Sequence, residues 1–201
     1  MLAERAASKV RELGGETPGF PLDPALKASM LVLPDGTRTS AEDLERFDLG
    51  KLHLEGEDFR GAVRWLAGSD LLPARNNHAL ALFHLNRIDD AYDAFMASWQ
   101  AEPENLFALG WATRLRLYRG DETGARGLCS PLGAATARRL DDALPQLEAL
   151  LLLKEDQLAW EAFERARASD WFAHGKDLGG ALLLHFGGCA ASRLGKGGDA
   201  R

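Results

Sequence analysis

Little in this chain is suited to cross-linking, membrane insertion or catalysis. Its two cysteines, Cys129 and Cys189, are too few for a disulfide framework. Both lie in apolar helical stretches and are expected to be buried thiols in a reducing compartment. No run of eighteen apolar residues is present, so no membrane span is expected. The longest apolar candidate, residues 178–191, is interrupted by four glycines and His185. Basic charge is in deficit: 24 Lys and Arg against 30 Asp and Glu leave a net charge of −6, which argues against a general nucleic-acid binder. The first residues, MLAERAASKVRELGG, carry charges throughout and no apolar core, so a secretory signal is not expected and the location is read as cytoplasmic.

Catalytic motifs are missing as well. There is no G-x-S-x-G, H-E-x-x-H or C-x-x-C. Gly195-Lys196-Gly197 is not a P-loop, because Ala190 stands where the first Gly belongs and Gly197 where Ser or Thr should hold magnesium. His185 and Cys189, four residues apart, share a helix face; two ligands make a weak metal site, and a packed helix face is the expected reading. His78 and His84, six apart, do not share a face. The acidic pairs Asp89-Asp90 and Asp141-Asp142 stand at helix starts, where they favour the helix dipole. The chain is therefore read as a non-enzyme with no cofactor and no metal.

Hydrophobic residues make up 46% of the 201, enough to bury a sizeable core. Residues 1–40 divide into an amphipathic helix over 3–13, with Val10 and Leu13 on its apolar side, a proline-rich linker over 16–25, and the stretch SMLVLPDGTRTS. That stretch reads either as a small hairpin, Leu31-Val32-Leu33 and Thr37-Arg38-Thr39 about a Pro34-Asp35-Gly36 turn, or as an apolar loop. Ser40 with Asp43 is an N-cap signature for a helix from Ala41 to about Leu54. The Glu55–Asp58 turn and a return helix from Phe59 to about Gly68 follow.

From Asn76 to Leu117 the pattern is helix, turn, helix, turn, helix. Its period lies in small residues, which allow two helices to cross closely. Ala91 is followed four residues on by Phe95. A shift of 34 residues gives Ala125 and Cys129, and another 34 gives Ala159 and Phe163. Pro103 closes the second helix, twelve residues after Ala91. Earlier, Ala62 and Leu66 match, but 29 residues ahead of Ala91. After Gly120-Asp121 the helix is weakened by Gly124 and Gly127 and interrupted at Ser130-Pro131. Asp142 as N-cap would leave Pro145 in a first helical turn, where proline is tolerated.

This register resembles the tetratricopeptide repeat, a helical pair of 34 residues, over about residues 41–168. The resemblance implies an all-α solenoid of about four antiparallel helix pairs, closed by a capping helix over 169–191 and ending in a flexible tail over 192–201. It implies no catalysis. It implies a concave groove, lined by the first helix of each pair, that takes a peptide or helix from a partner protein; nucleic acid and membrane are not expected partners, and a homo-oligomer is left open. The groove would be lined by Phe47 and Lys51, then Asn76, Asn77, Leu80 and Phe83, then Phe107, Gly110, Trp111, Arg114 and Leu117. Gly110 would leave space for a partner's backbone, and Arg114 would be the main polar anchor unless it pairs with Asp121 or Glu148. The carboxylate clamp of chaperone-binding members is not matched: of the places Phe47, Lys51, Asn77, Phe107 and Trp111, only Asn77 agrees. Two alternatives stay open: a groove filled by the chain's own N-terminal segment, and a ligand-sensing regulatory array.

Overall fold

The computed structural model describes residues 29–33, 36–174 and 178–196. The expected N-terminal helix, the proline-rich linker, the Pro34-Asp35 turn tip and residues 197–201 of the tail lie outside the described residues. The hairpin is present, shifted by one residue: β1 (Met30–Val32) pairs antiparallel with β2 (Arg38–Ser40), Leu31 opposite Thr39. Gly36 (φ 86°) donates to the Leu33 carbonyl and takes the left-handed conformation the turn needs.

The chain divides into two compact units, with the boundary between Ala94 and Phe95. In the first, α1 (Ala41–Glu55) starts at the Ser40 cap, whose hydroxyl accepts the Asp43 N–H at 3.0 Å. Helix α2 (Phe59–Leu66) is capped by Asp58, and α3 (Leu72–His84) opens with Pro73 in its first turn. Ala62, Leu66, Leu71, Ala74 and Ala81 form the buried core, and Phe47, Leu54 and Val63 pack on it.

Helix α4 (Ile88–Ala101) starts in the first unit and ends in the second. The second unit continues with α5 (Leu106–Tyr118), whose Asn105 cap accepts from Ala108 and donates to the Ser98 hydroxyl. Next come α6 (Glu122–Arg126), α7 (Cys129–Ala134), α8 (Leu140–Leu152), α9 (Asp156–Arg167), a 3-10 turn (Asp170–His174) and α10 (Leu178–Arg193). Helix α8 is the centre of this unit and packs against α5, α9 and α10. Its face of Ala143, Leu147, Ala149, Leu150 and Leu151 is buried with Leu109, Phe163 and Leu183.

One turn recurs four times. Glu57 (φ 61°), Asn86 (59°), Gly120 (76°) and Lys154 (60°) are left-handed residues just past the first helix of a pair. In each case the next N–H reaches a carbonyl five residues back, Asp58 to His53, Arg87 to Leu82, Asp121 to Arg116 and Glu155 to Leu150, at 2.9–3.0 Å. This is the Schellman closure, which satisfies carbonyls that a helix end leaves orphaned. Five residues after each left-handed position stand Ala62, Ala91, Ala125 and Ala159, all with no exposed surface. The spacings are 29, 34 and 34, those of the sequence register. The fold is all-α, with helix pairs of tetratricopeptide-repeat-like form.

Three expectations need correction. The third return helix is interrupted at Gly127-Leu128, not at Ser130-Pro131, which lie inside its second piece, α7. Asp142 is not an N-cap: α8 begins at Leu140 after Arg139, so Pro145 lies inside the helix. Without an N–H, Pro145 leaves the Asp141 carbonyl short of its helical partner. The last helix runs to Arg193, two residues beyond the expected end at 191, so the first residues of the supposed tail are helical.

Candidate functional site

Helix α5 presents Phe107, Trp111, Arg114 and Tyr118 at spacings of four, three and four, which places them along one side. The Trp111 ring stacks on Phe95, 5.8 Å between centroids and 11° between planes, and Phe107 tilts against both. The Arg114 guanidinium lies 4.1 Å from the centre of the Trp111 ring, and its Nη1 is 3.1 Å from the Glu148 carboxylate on α8. Burial lowers the Arg114 pKa, and Glu148 opposes that shift. The guanidinium remains charged, clamped between an aromatic face and a carboxylate. Of the two acids weighed for it, Glu148 is the partner; Asp121 is held by Arg116 instead.

Gly110 sits one turn before Arg114, and the expectation that it leaves space for a partner's backbone is overturned. A Cβ there would lie 2.7 Å from the backbone carbonyl carbon and oxygen of Pro145. Gly110 is buried because α5 and α8 nest at this point, and its missing side chain is filled by the chain itself. The register is informative. Gly110 meets Pro145 and Arg114 meets Glu148, offsets of 35 and 34, so the two first helices run parallel. One turn on, Tyr118 on α5 and Leu152 on α8 are both exposed.

Leu117 turns toward Ala125, Cys129 and Leu153 and packs there. In the first unit, Phe47 is half-buried against the α1–α3 core. Lys51 is exposed, 3.8 Å from Glu55. Asn77, Leu80 and Phe83 are half-buried on α3. Asn76 is buried, which removes it from any partner surface.

Asp142 was read as a helix-dipole residue, and the structure gives it more to do. It is buried, accepts the backbone N–H of Phe107 and pairs with Arg139 at 3.3 Å, while its Oδ1 lacks a partner. Burial raises its pKa despite those contacts. Nothing in the local pattern marked it, because its acceptor role is to a helix start 35 residues away. Cys129 is buried as expected, and burial pushes its thiol up. Cys189 is half-buried and packs against the core of α8 and α9, whereas His185 is exposed, so the packed-face reading holds for the cysteine and not for the histidine. Among the described residues no cluster of three or more His, Cys, Asp or Glu is placed to hold a metal, and no helix is long and apolar enough to cross a membrane.

No family model matches the chain. No curated protein matches it either. Among solved structures it is similar to a point mutant of MamA, a tetratricopeptide-repeat-containing protein, with a TM-score of 0.46 and 14% identity over 79% of this chain and 91% of that one.

Proposed function

We propose that this protein is an interaction scaffold of the tetratricopeptide-repeat kind, and that the α5–α8 face receives a helix or extended peptide from a partner protein. The observation that carries this reading is the Trp111–Arg114–Glu148 cluster. An arginine is held in a fixed orientation over an aromatic ring, one helical turn before exposed Tyr118, and its partner Glu148 stands one turn before exposed Leu152. Aromatic residues and arginine dominate binding energy at protein interfaces. A pre-ordered side chain loses less entropy on binding. A carboxylate on the partner would compete with Glu148 for the guanidinium fork. In the first unit, Phe47, Lys51, Asn77, Leu80 and Phe83 are the proposed contacts. The scaffold has no catalytic role.

The test uses the full chain in its own cells with a photo-crosslinking residue at Tyr118 or Leu152, and the captured segment is then titrated against purified variants. Arg114→Ala should weaken binding by more than about tenfold and leave the melting temperature within a few degrees. Normal binding by that variant, or crosslinks no stronger than those from a surface position on α9, would remove the face from consideration.

A further inference from the structure

The outer side of α10 is unusual for an exposed surface. Leu178, Leu182 and Leu184 are 79%, 41% and 53% exposed. Residues 178–192 contain no Asp, Glu, Lys or Arg. The cations that follow are turned onto their own chain: Arg193 donates to the Leu151 carbonyl and to Asp156, and Lys196 lies over Trp160. In the middle of this uncharged face, His185 and Cys189 stand one turn apart, beside a surface depression lined also by Gly188, Ser192 and Arg193. Cys189 Sγ and His185 Nε2 are 3.7 Å apart.

That separation is the telling quantity. Zinc binds thiolate sulfur at about 2.3 Å and imidazole nitrogen at about 2.0–2.1 Å in a tetrahedron, which sets the two ligand atoms about 3.6 Å apart. The pair is therefore already spaced as one edge of a zinc site. Among the described residues nothing on the same chain supplies a third ligand. A structural zinc takes four.

We propose that the outer face of α10 is a metal half-site completed by a second copy of this chain, with one zinc ion held by His185 and Cys189 of each. The helix is self-complementary for this. In an antiparallel crossing about a two-fold axis level with residue 187, His185 falls opposite the partner's Cys189, and Cys189 opposite the partner's His185. Gly188 carries no side chain, and nothing lies within 4 Å of where a Cβ would stand, so the two helices approach closely there. The exposed leucines flank the metal and lose their water. Each Cys189 gives up its thiol proton to solvent on binding. Two thiolates then offset the charge of the zinc, and the buried site is neutral. Loading consequently falls as pH is lowered.

The test is sedimentation of the full reduced chain with zinc added stepwise, and cobalt used as a spectroscopic probe. The expected result is a shift from monomer to dimer that saturates at one zinc per two chains and reverses with EDTA. The cobalt form should show thiolate charge-transfer absorption with tetrahedral ligand-field bands. His185→Ala, at an exposed position, should keep the metal-free melting temperature, and both it and Cys189→Ser, a near-isosteric change at a half-buried position packed on the core, should lose the metal-dependent dimer. The proposal would be overturned by one metal bound per chain with the mass unchanged, by no thiolate–cobalt absorption, or by a dimer that forms equally with either variant. A dimer seen only under oxidising conditions would make Cys189 a disulfide partner and also overturn it.

Discussion

The first and third helical pairs close with the same device built from different side chains. At the first, Asp58 accepts the Gly61 N–H at 3.0 Å and holds His53 Nδ1 at 2.8 Å. At the third, Asp121 accepts the Gly124 N–H at 2.8 Å and holds the Arg116 guanidinium. The spacing is identical: a nitrogen-bearing side chain five residues before the aspartate, and a glycine three residues after it. The difference is burial. The His53 side chain has no exposed surface, whereas that of Arg116 is 30% exposed. One turn is thus locked into a core, and the other is braced by a flexible arm that water can reach. The backbone closure is common to both turns, while its rigidity depends on what the supporting side chain can do when disturbed.

Glycine replacement should break the likeness most visibly. A Cβ on Gly61 would collide with His53 and Asp58, and one on Gly124 with Arg116 and Asp121. His53 cannot withdraw, but the tip of Arg116 can. Gly61→Ala should therefore cost about 3 kcal/mol. Gly124→Ala should cost less than half as much, because the gain in helix propensity offsets part of it. Equal losses in denaturant titrations would show that burial of the supporting side chain is irrelevant.

Removing the support itself should give the next largest difference. His53→Ala leaves a cavity and an unpaired aspartate, at about 2–4 kcal/mol. Arg116→Ala only exposes Asp121 to more water, and its melting temperature should fall much less. The second pair sharpens the contrast, because Arg87 stands in its cap position and no aspartate does. There the closure relies on packing at Ala91, which has no exposed surface. Ala91→Leu should cost about 1–3 kcal/mol by overpacking, and an unchanged melting temperature would sink that account.

Acid should produce the smallest effects. Burial alone would raise Asp58, but the Gly61 N–H and His53 outweigh it and hold it below its ordinary 3.8. The Gly124 N–H and then Arg116 hold Asp121 down as well. Both folded values lie below the unfolded one. Their stabilisation is full above 3.8 and is lost as pH falls through the folded values. The pair Asp58→Asn and Asp121→Asn should flatten the acid limb of melting temperature against pH. Asp142 has the opposite sign. Its folded pKa is raised by burial, so its contribution is present at low pH and is lost as pH rises through the folded value. Asp142→Asn should raise the melting temperature at pH 7, and a fall there would show that the Arg139 pair outweighs burial.

The repeat was legible because its causes are local. An alanine at a crossing and a turn five residues earlier leave a mark at fixed spacing, so the positions 62, 91, 125 and 159 could be read from the chain alone. The Ser40 cap was legible for the same reason. Gly110 was misread because its neighbour, Pro145, lies 35 residues away, and periodicity cannot say what covers a face. The same limit applied to His185 and Cys189: helical spacing put them on one side of α10, but only the packing of α8 and α9 against that helix leaves His185 exposed and Cys189 half-buried. Asp142 looked like a helix-start acid because its burial comes from α5.

The four left-handed closures also bear on how quickly the chain acquires its structure. Each is complete within six residues, so the entropy lost in joining one helix to the next is small and is spent early. Chains dominated by such near-neighbour contacts have low contact order and fold in microseconds to milliseconds. Only one of the four closing residues is glycine. The other three, Glu57, Asn86 and Lys154, hold a conformation that costs side-chain-bearing residues energy. Glycine at Glu57 or Lys154 would relieve that cost in the native state but enlarge the freedom of the unfolded chain. The present residues thus trade a little native strain for a denatured ensemble with fewer ways to miss the turn.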